Sequence, residues 1–301
     1  MTETLVAKSR PRITVSLVFY TIINVGGIAL LFIVPFSWKL VALWAFNYTA
    51  GMFFITAGYH RYFSHRSFQL GRVAQFFLAW MAQASIQKGV LWWAANHRDH
   101  HIHSDTDLDL HSPVKRGFWY SHMGWIFDPK SQSFNVKKIQ DFNKYPELRW
   151  LNNYHWVPTV VQAAFITTLF YFLDIPGITP LAAFAWGYLF VIVCCYQASY
   201  TINSLSHVYG KRRFETTDHS RNNWFLAIIT LGEGWHNNHH HCKSACRQGY
   251  KWYEYDLTYY ILKGFSFIGI VKNIRPFRAD NTKGVIVEAP VAKKELSAEA
   301  A

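Results

Sequence analysis

Charged residues are scarce in this chain. Asp, Glu, Lys and Arg make up 16% of its 301 residues, against roughly 25% in soluble domains. Hydrophobic residues make up 51% and aromatics 18%, so the deficit points to lipid. Acids are the scarcer sign, 18 against 30 bases, and the formal net charge is +12. Such a balance suits nucleic acid, an anionic membrane surface or an acidic protein. No basic stretch interleaves with a nucleic-acid-binding motif, which sets nucleic acid aside. Cysteine is scarce as well. Cys194, Cys195, Cys242 and Cys246 are too few and too close together for a secreted disulfide framework. Cys242 and Cys246 also lack the paired spacing of a zinc or iron–sulfur site, so all four read as structural.

Charge is missing altogether from residues 13–37 and 40–59, each long enough to cross a bilayer, which takes roughly 20 residues. Lys8, Arg10 and Arg12 precede the first run as they would in a signal peptide. The run is too long for a signal core and has no small-residue cleavage site, so it reads as a retained helix. Two further apolar spans, 156–173 and 181–200, flank a turn with Pro and Gly at 174–180. Three Lys and Arg precede the first span, twelve lie from Arg61 to Arg149 and fourteen from Lys211 onward, while the hairpin turns hold only Lys39. The positive-inside rule then places both termini and the central loop in the cytoplasm. The expectation is an integral, multi-pass, all-α membrane protein with four transmembrane helices in two hairpins.

Residues 73–87 are apolar but short, and crossing there would put His60 and His97 on opposite sides of the membrane. They read as an interfacial or re-entrant helix, and 257–271, interrupted by Lys263, reads similarly. The membrane domain is expected to cover 1–280, followed by a disordered tail over 281–301.

Most of the fifteen histidines fall just outside the spans. His60 and His65 lie in HRYFSH, His97, His100 and His101 in HRDHH, and His236, His239 and His240 in HNNHH. Asn203 and His207, in NSLSHVYG, are also four apart. On a helix, positions i, i+3 and i+4 share a face, which predicts that each triplet aims at a common point. Nine imidazoles are too many for one ion, since zinc is satisfied by four ligands, or by three and a water. They suit two ions taking four or five each. Imidazole accepts zinc, copper, iron and nickel alike; an apolar chain beside a redox metal favours oxygen chemistry, hence iron or copper. His103, His111, His122, His155, His219 and His241 read as supporting or surface residues. Trp92, Trp93, Trp119, Trp125, Trp150 and Trp156 read as interface-belt and core aromatics.

In this order, HRYFSH, HRDHHIHSD, GFWYSHMGW, NSLSHVYG and GEGWHNNHH resemble the membrane fatty acyl desaturases of the Δ9, stearoyl-CoA desaturase-like group, over about residues 13–272. The resemblance implies a helical cytosolic cap above four transmembrane helices, holding a di-iron centre. It places the iron ligands at His60, His65, His97, His100, His101, His207, His236, His239 and His240, and a metal-bound water at Asn203. The implied reaction uses O2 and two external electrons to leave a cis double bond in a long saturated acyl chain. Ala95 and Asn96 stand where animal acyl-CoA desaturases carry an Arg-Asp pair for the CoA head. Gln87 is retained, and Lys88 and Lys130 remain as phosphate contacts. CoA, acyl carrier protein and a lipid-linked chain therefore all stay open as carriers. No His-Pro-Gly-Gly haem segment is present, so electrons are expected from a separate ferredoxin or cytochrome b5.

A histidine-box hydroxylase or ketolase is the nearest rival reading. A metal transporter fits poorly, because uncharged spans offer no ion pathway. If the helix ending at His60 gauges the methyl end of the chain, nine carbons plus the distance from iron take about 16 Å, or some eleven residues. That reaches Thr49 and Tyr48, with Trp44 one turn deeper.

Overall fold

The structure, a computed structural model, describes residues 15–277. The tail expected over 281–301 and the basic residues at 8, 10 and 12 lie outside the described residues. Those described fold into helices; no strand forms among them, only isolated bridges such as the one between Gln69 and Lys272.

Helix α1 (Val15–Ile33) is followed by α2 (Trp38–Phe54), whose N-terminal amides are capped by Ser37. Rather than stopping, α2 passes directly into a π-helix over Ile55–Ser64. The resulting 27-residue helix extends past residue 59, where the apolar run ends. Next come α3 (Arg72–Gln83) and α4 (Val90–His103). After short helical turns, α5 (Pro146–Asn153) and α6 (Val157–Leu173) follow, bent by 74° at the break between them. Asp174 in the left-handed region and Gly177 turn the chain. Thr179 and Pro180 then start α7, which runs as Pro180–Phe184, a π-helical turn Ala185–Leu189, and Phe190–Asn203. Two short helices follow, α8 (His236–His241), which carries three of the expected histidines, and α9 (Leu257–Phe267).

Two of these helices, Trp38–Ser64 and Pro180–His207, are long and apolar enough to cross a membrane, and α5 with α6 forms a third candidate if taken as one bent span. The first hydrophobic run gives a shorter apolar helix, Leu17–Ile33. Outward-facing Phe19, Phe32, Phe46 and Phe172 leave large apolar surfaces that water would penalise and lipid would not. Close helix approach explains part of the packing. A Cβ on Gly187 would lie 2.8 Å from Leu43, so glycine lets α7 press against α2.

Helix α3 is short and one-sided. It buries Gln75, Leu78, Ala79 and Ala82 while Val73 and Phe77 face outward. The core above the apolar helices joins the π-helical end of α2 to α3, α4 and α5 through Tyr59, Phe63, Leu91 and Leu148.

Candidate metal centre

Residues His60 and His65 sit five apart, a spacing that α-helical geometry would spread by roughly 140° around the axis. The π-helix closes its hydrogen bonds at i+5, and the His65 amide donates to the His60 carbonyl at 3.2 Å. Both imidazoles therefore leave one face, with their rings 4.8 Å apart.

All nine expected histidines gather into two sets. His60, His65, His97, His101 and His239 form one, and His100, His207, His236 and His240 the other, the ring nitrogens of each set lying within 4.8 Å of one another. The division into five and four leaves two positions, each of which could hold a metal ion. How the triplets aim is corrected: neither converges on a single point. The i,i+4 pairs His97/His101 and His236/His240 stay together, while His100 and His239 turn to the opposite set. Each of the short helices α4 and α8 thus runs between the two positions and ties them into one unit.

The spacing within each set tests the fit of a metal. In the first set, the Nε2 atoms of His65, His97, His101, His239 and His60 follow one another at 3.0 Å separations. With metal–nitrogen bonds of about 2.1 Å, neighbours in an octahedral or square arrangement lie about 3.0 Å apart and in a tetrahedral one about 3.4 Å. The five-histidine set therefore fits a five- or six-coordinate ion and not a structural zinc. In the second set, Nε2 of His207 and His236 are also 3.0 Å apart, and the Nε2 of His240 is buried with no protein partner.

Carboxylates fix the tautomers from behind. Asp109 lies 3.1 Å from Nδ1 of His100, Asp105 lies 2.9 Å from Nδ1 of His207, and Asp218 lies 2.7 Å from Nδ1 of His240. In the first set, Glu233 pairs with Nδ1 of His60. A carboxylate on Nδ1 keeps the proton there and leaves Nε2 free as a ligand. Burial foremost, with repulsion from the neighbouring imidazoles, holds His97, His101, His236 and His239 well below the usual imidazole range. Neutral imidazole is the form a metal needs. Burial works against charge on His100 too, but Asp109 outweighs it and raises that pKa.

These acids were not among the residues the sequence singled out. The only signal was their position in HSDTDLD, TDH and GEGW, beside the histidine motifs. Behind them, fully buried Arg61 holds Glu233 at 3.0 Å and Asp256 at 2.9 Å. Gly232, at φ 129°, leaves room for that contact. His111 stacks on His100 at 4.3 Å, in keeping with a supporting role.

Between the two sets opens a narrow, mostly apolar cavity of about 50 Å³, bounded by Met52, Ile55, Trp93, Ile202 and Thr230 and reached by His60, His97, His100 and His236. Asn203 lines it. Trp93 lines it too, stacking on His97 at 4.8 Å, so its place is the wall of the centre and not a membrane belt. The other expected substrate residues lie outside this lining. Tyr48, one turn from Met52, donates to the Ile229 carbonyl at 2.6 Å and stacks with Trp44. Thr49 bonds back to Ala45 of its own helix. Gln87 donates to Ser199 at 3.1 Å, Lys88 to Gln132 at 3.0 Å, and Lys130 is exposed.

Comparison with known proteins agrees with this geometry. A family model described as fatty acid desaturase matches residues 8–266. An acyl-CoA 5-desaturase from Anemone leveillei is 35% identical, over 85% of this chain and 79% of its own length. The sn-1 stearoyl-lipid 9-desaturase of Anabaena variabilis is 33% identical, over 90% and 97%. A Delta-9 acyl-lipid desaturase from Arabidopsis thaliana is 34% identical, over 80% and 76%.

Proposed function

The chain belongs to the fatty acid desaturase family and is an oxidoreductase of fatty acyl chains; from that premise we propose that it inserts a cis double bond at the Δ9 position of a long saturated chain. The single observation carrying this reading is the apolar cavity wedged between a five-histidine and a four-histidine set. A methylene pair seated there faces both sets, while Met52, Ile55 and Ile202 exclude water. The nine histidines are the proposed ligands of two iron ions, which when bound supply O2 activation and hydrogen abstraction. Overall, two hydrogens from the chain, two external electrons and two protons reduce one O2 to two waters. Asn203, in the lining of the same cavity, is the proposed holder of a metal-bound water. Asp105, Asp109, Asp218 and Glu233 hold the ligand imidazoles in one tautomer throughout.

Four membrane spans in two hairpins are part of the proposal, with both termini and the metal centre cytoplasmic. Helix α1 supports it: nineteen residues at 1.5 Å reach about 28 Å, close to a hydrocarbon core of about 30 Å. The regiochemistry rests on relatives whose names divide between 5-, 7- and 9-desaturases, and the carrier on names that divide between CoA and lipid. A separate ferredoxin or cytochrome b5 is the proposed electron donor. Expression in a host lacking unsaturated fatty acids, with double bonds located by mass spectrometry, tests the assignment. A Δ9 cis-monoene is the expected product. Hydroxylated or keto acids would assign the chain to another chemistry, and a Δ5 or Δ7 product would correct the position alone.

A further inference from the structure

A second cavity borders the end of the π-helix at Tyr62, and none of the nine histidines lines it. It encloses about 230 Å³ and is lined by four basic side chains, Arg66, Arg72, Lys144 and Arg275, against one acid, Asp141. That acid is already engaged, since Arg98 grips both its oxygens at 2.8 and 2.9 Å. Arg72 is held by Glu147, but Arg66, 57% exposed, approaches Asp141 only to 3.6 Å. The cavity is therefore electropositive, with unspent donors at its mouth.

Its floor carries a donor without an acceptor. Gln75 is 97% buried; the Tyr62 phenol donates to its Oε1 at 2.9 Å, which leaves the amide nitrogen buried with no partner. A buried donor in that condition costs about 1–3 kcal/mol unless something else accepts from it. The first turn of α3 opens beside it, and its N-cap, Gly71, offers no side chain to the free amides. Arg66 is also a non-glycine residue at φ 52°, a conformation retained only where the surroundings demand it. Backbone pairing fixes the opposite wall: the Arg275 amide donates to Ser67 at 2.8 Å, and Gln69 and Lys272 exchange two further bonds.

Cations at the rim, an unsatisfied amide on the floor and uncapped helix amides share one complement. We propose that this cavity binds the phosphate group of an anionic ligand, separately from the metal centre. The surroundings indicate a phospholipid headgroup as its source. Val73, 84% exposed, and Phe77 project from the same helix as Arg72 and Gln75 and face outward. A lipid whose acyl chains lie along them brings its phosphate to the cavity mouth.

The test uses full-length, metal-loaded protein in detergent, titrated with dioctanoyl phosphatidic acid and, separately, with inorganic phosphate, and followed by 31P NMR line broadening. Saturable binding is expected. It should weaken about tenfold in Arg66→Gln and further in Arg66→Gln/Lys144→Gln. Both positions are exposed, so folding should survive, and an unchanged circular dichroism spectrum checks it. Lys263→Gln, outside the cavity, should bind like wild type. Tighter binding of the lipid than of inorganic phosphate identifies the headgroup as the source; equal affinities identify a soluble phosphate group. Absence of saturable binding by both probes, or binding unaltered in the folded double variant, overturns the proposal.

Discussion

Asp218→Asn is the sharpest perturbation of the proposed centre, because it changes one atom's character and almost nothing else. Oδ1 of Asp218 accepts from the Ser220 amide at 2.9 Å and from the Thr216 hydroxyl at 3.0 Å, while Oδ2 faces Nδ1 of His240 at 2.7 Å. Asparagine keeps the first oxygen and its two bonds but presents an NH2 group to the imidazole. His240 must then accept at Nδ1 and move its proton to Nε2, the buried atom with no protein partner. The second set falls from four ligands to three. Flipping the amide instead would set its NH2 against the Ser220 amide, donor against donor, and costs more. Loss of a supporting partner typically weakens metal affinity about 10–100-fold, roughly 1.4–2.8 kcal/mol. Purified protein dialysed against graded chelator should hold about two metal equivalents, one for each histidine set. In Asp218→Asn, one equivalent should leave at about 10–100-fold lower chelator, with the other unmoved. Glu233→Gln should reverse the pattern, since Glu233 supports His60 in the other set. If both equivalents shift together in the Asp218 variant while the thermal midpoint holds, the two sets are not separate sites.

Tyr48→Ala removes the aromatic ring one helical turn beyond Met52, about 6 Å of path, or four to five carbons at roughly 1.25 Å each; longer acyl substrates should be accepted, and an unaltered chain-length profile by gas chromatography would place the gauge elsewhere. Burial lowers Lys88 to about 8, so its charge is present below that pH and lost above it. KM for a phosphate-bearing acyl carrier should therefore rise between pH 7 and 9, and Lys88→Met should flatten the profile; identical profiles would remove Lys88 from the carrier site. At Gly232 a Cβ would meet Asp256 at 2.5 Å and Arg61 at 2.9 Å with φ already at 129°. Gly232→Ala should destabilise by about 1–3 kcal/mol in detergent denaturation, whereas Gly71→Ala, which faces open space, should be near neutral. Turnover should require an added ferredoxin- or cytochrome b5-type donor; sustained product from NADPH and O2 alone, with protein free of reductases, would refute that.

Much of the architecture is decided by local pattern and is legible without coordinates. Uncharged runs of bilayer length become helices because lipid leaves backbone groups no partner outside the segment. Accordingly the runs at 40–59 and 181–200 lie inside long apolar helices, and the short stretch from residue 73 forms the one-sided α3. Histidine spacing also gave the number of sets, because nine imidazoles exceed one ion's capacity. Where periodicity fails, the reason is physical. An α-helical period cannot join His60 to His65; the π-helix that does so is written in hydrogen bonds, not in hydrophobic pattern. Nor can spacing reveal that His100 and His239 leave their own triplets, because that depends on which neighbouring helix supplies the remaining ligands. Asp105, Asp109 and Asp218 look like ordinary loop acids until folding brings imidazoles against them, and Arg61 looks like a surface base until it is buried between Glu233 and Asp256. Local chemistry chose which residues can bind a metal; contacts between segments far apart in the chain decided which of them act together.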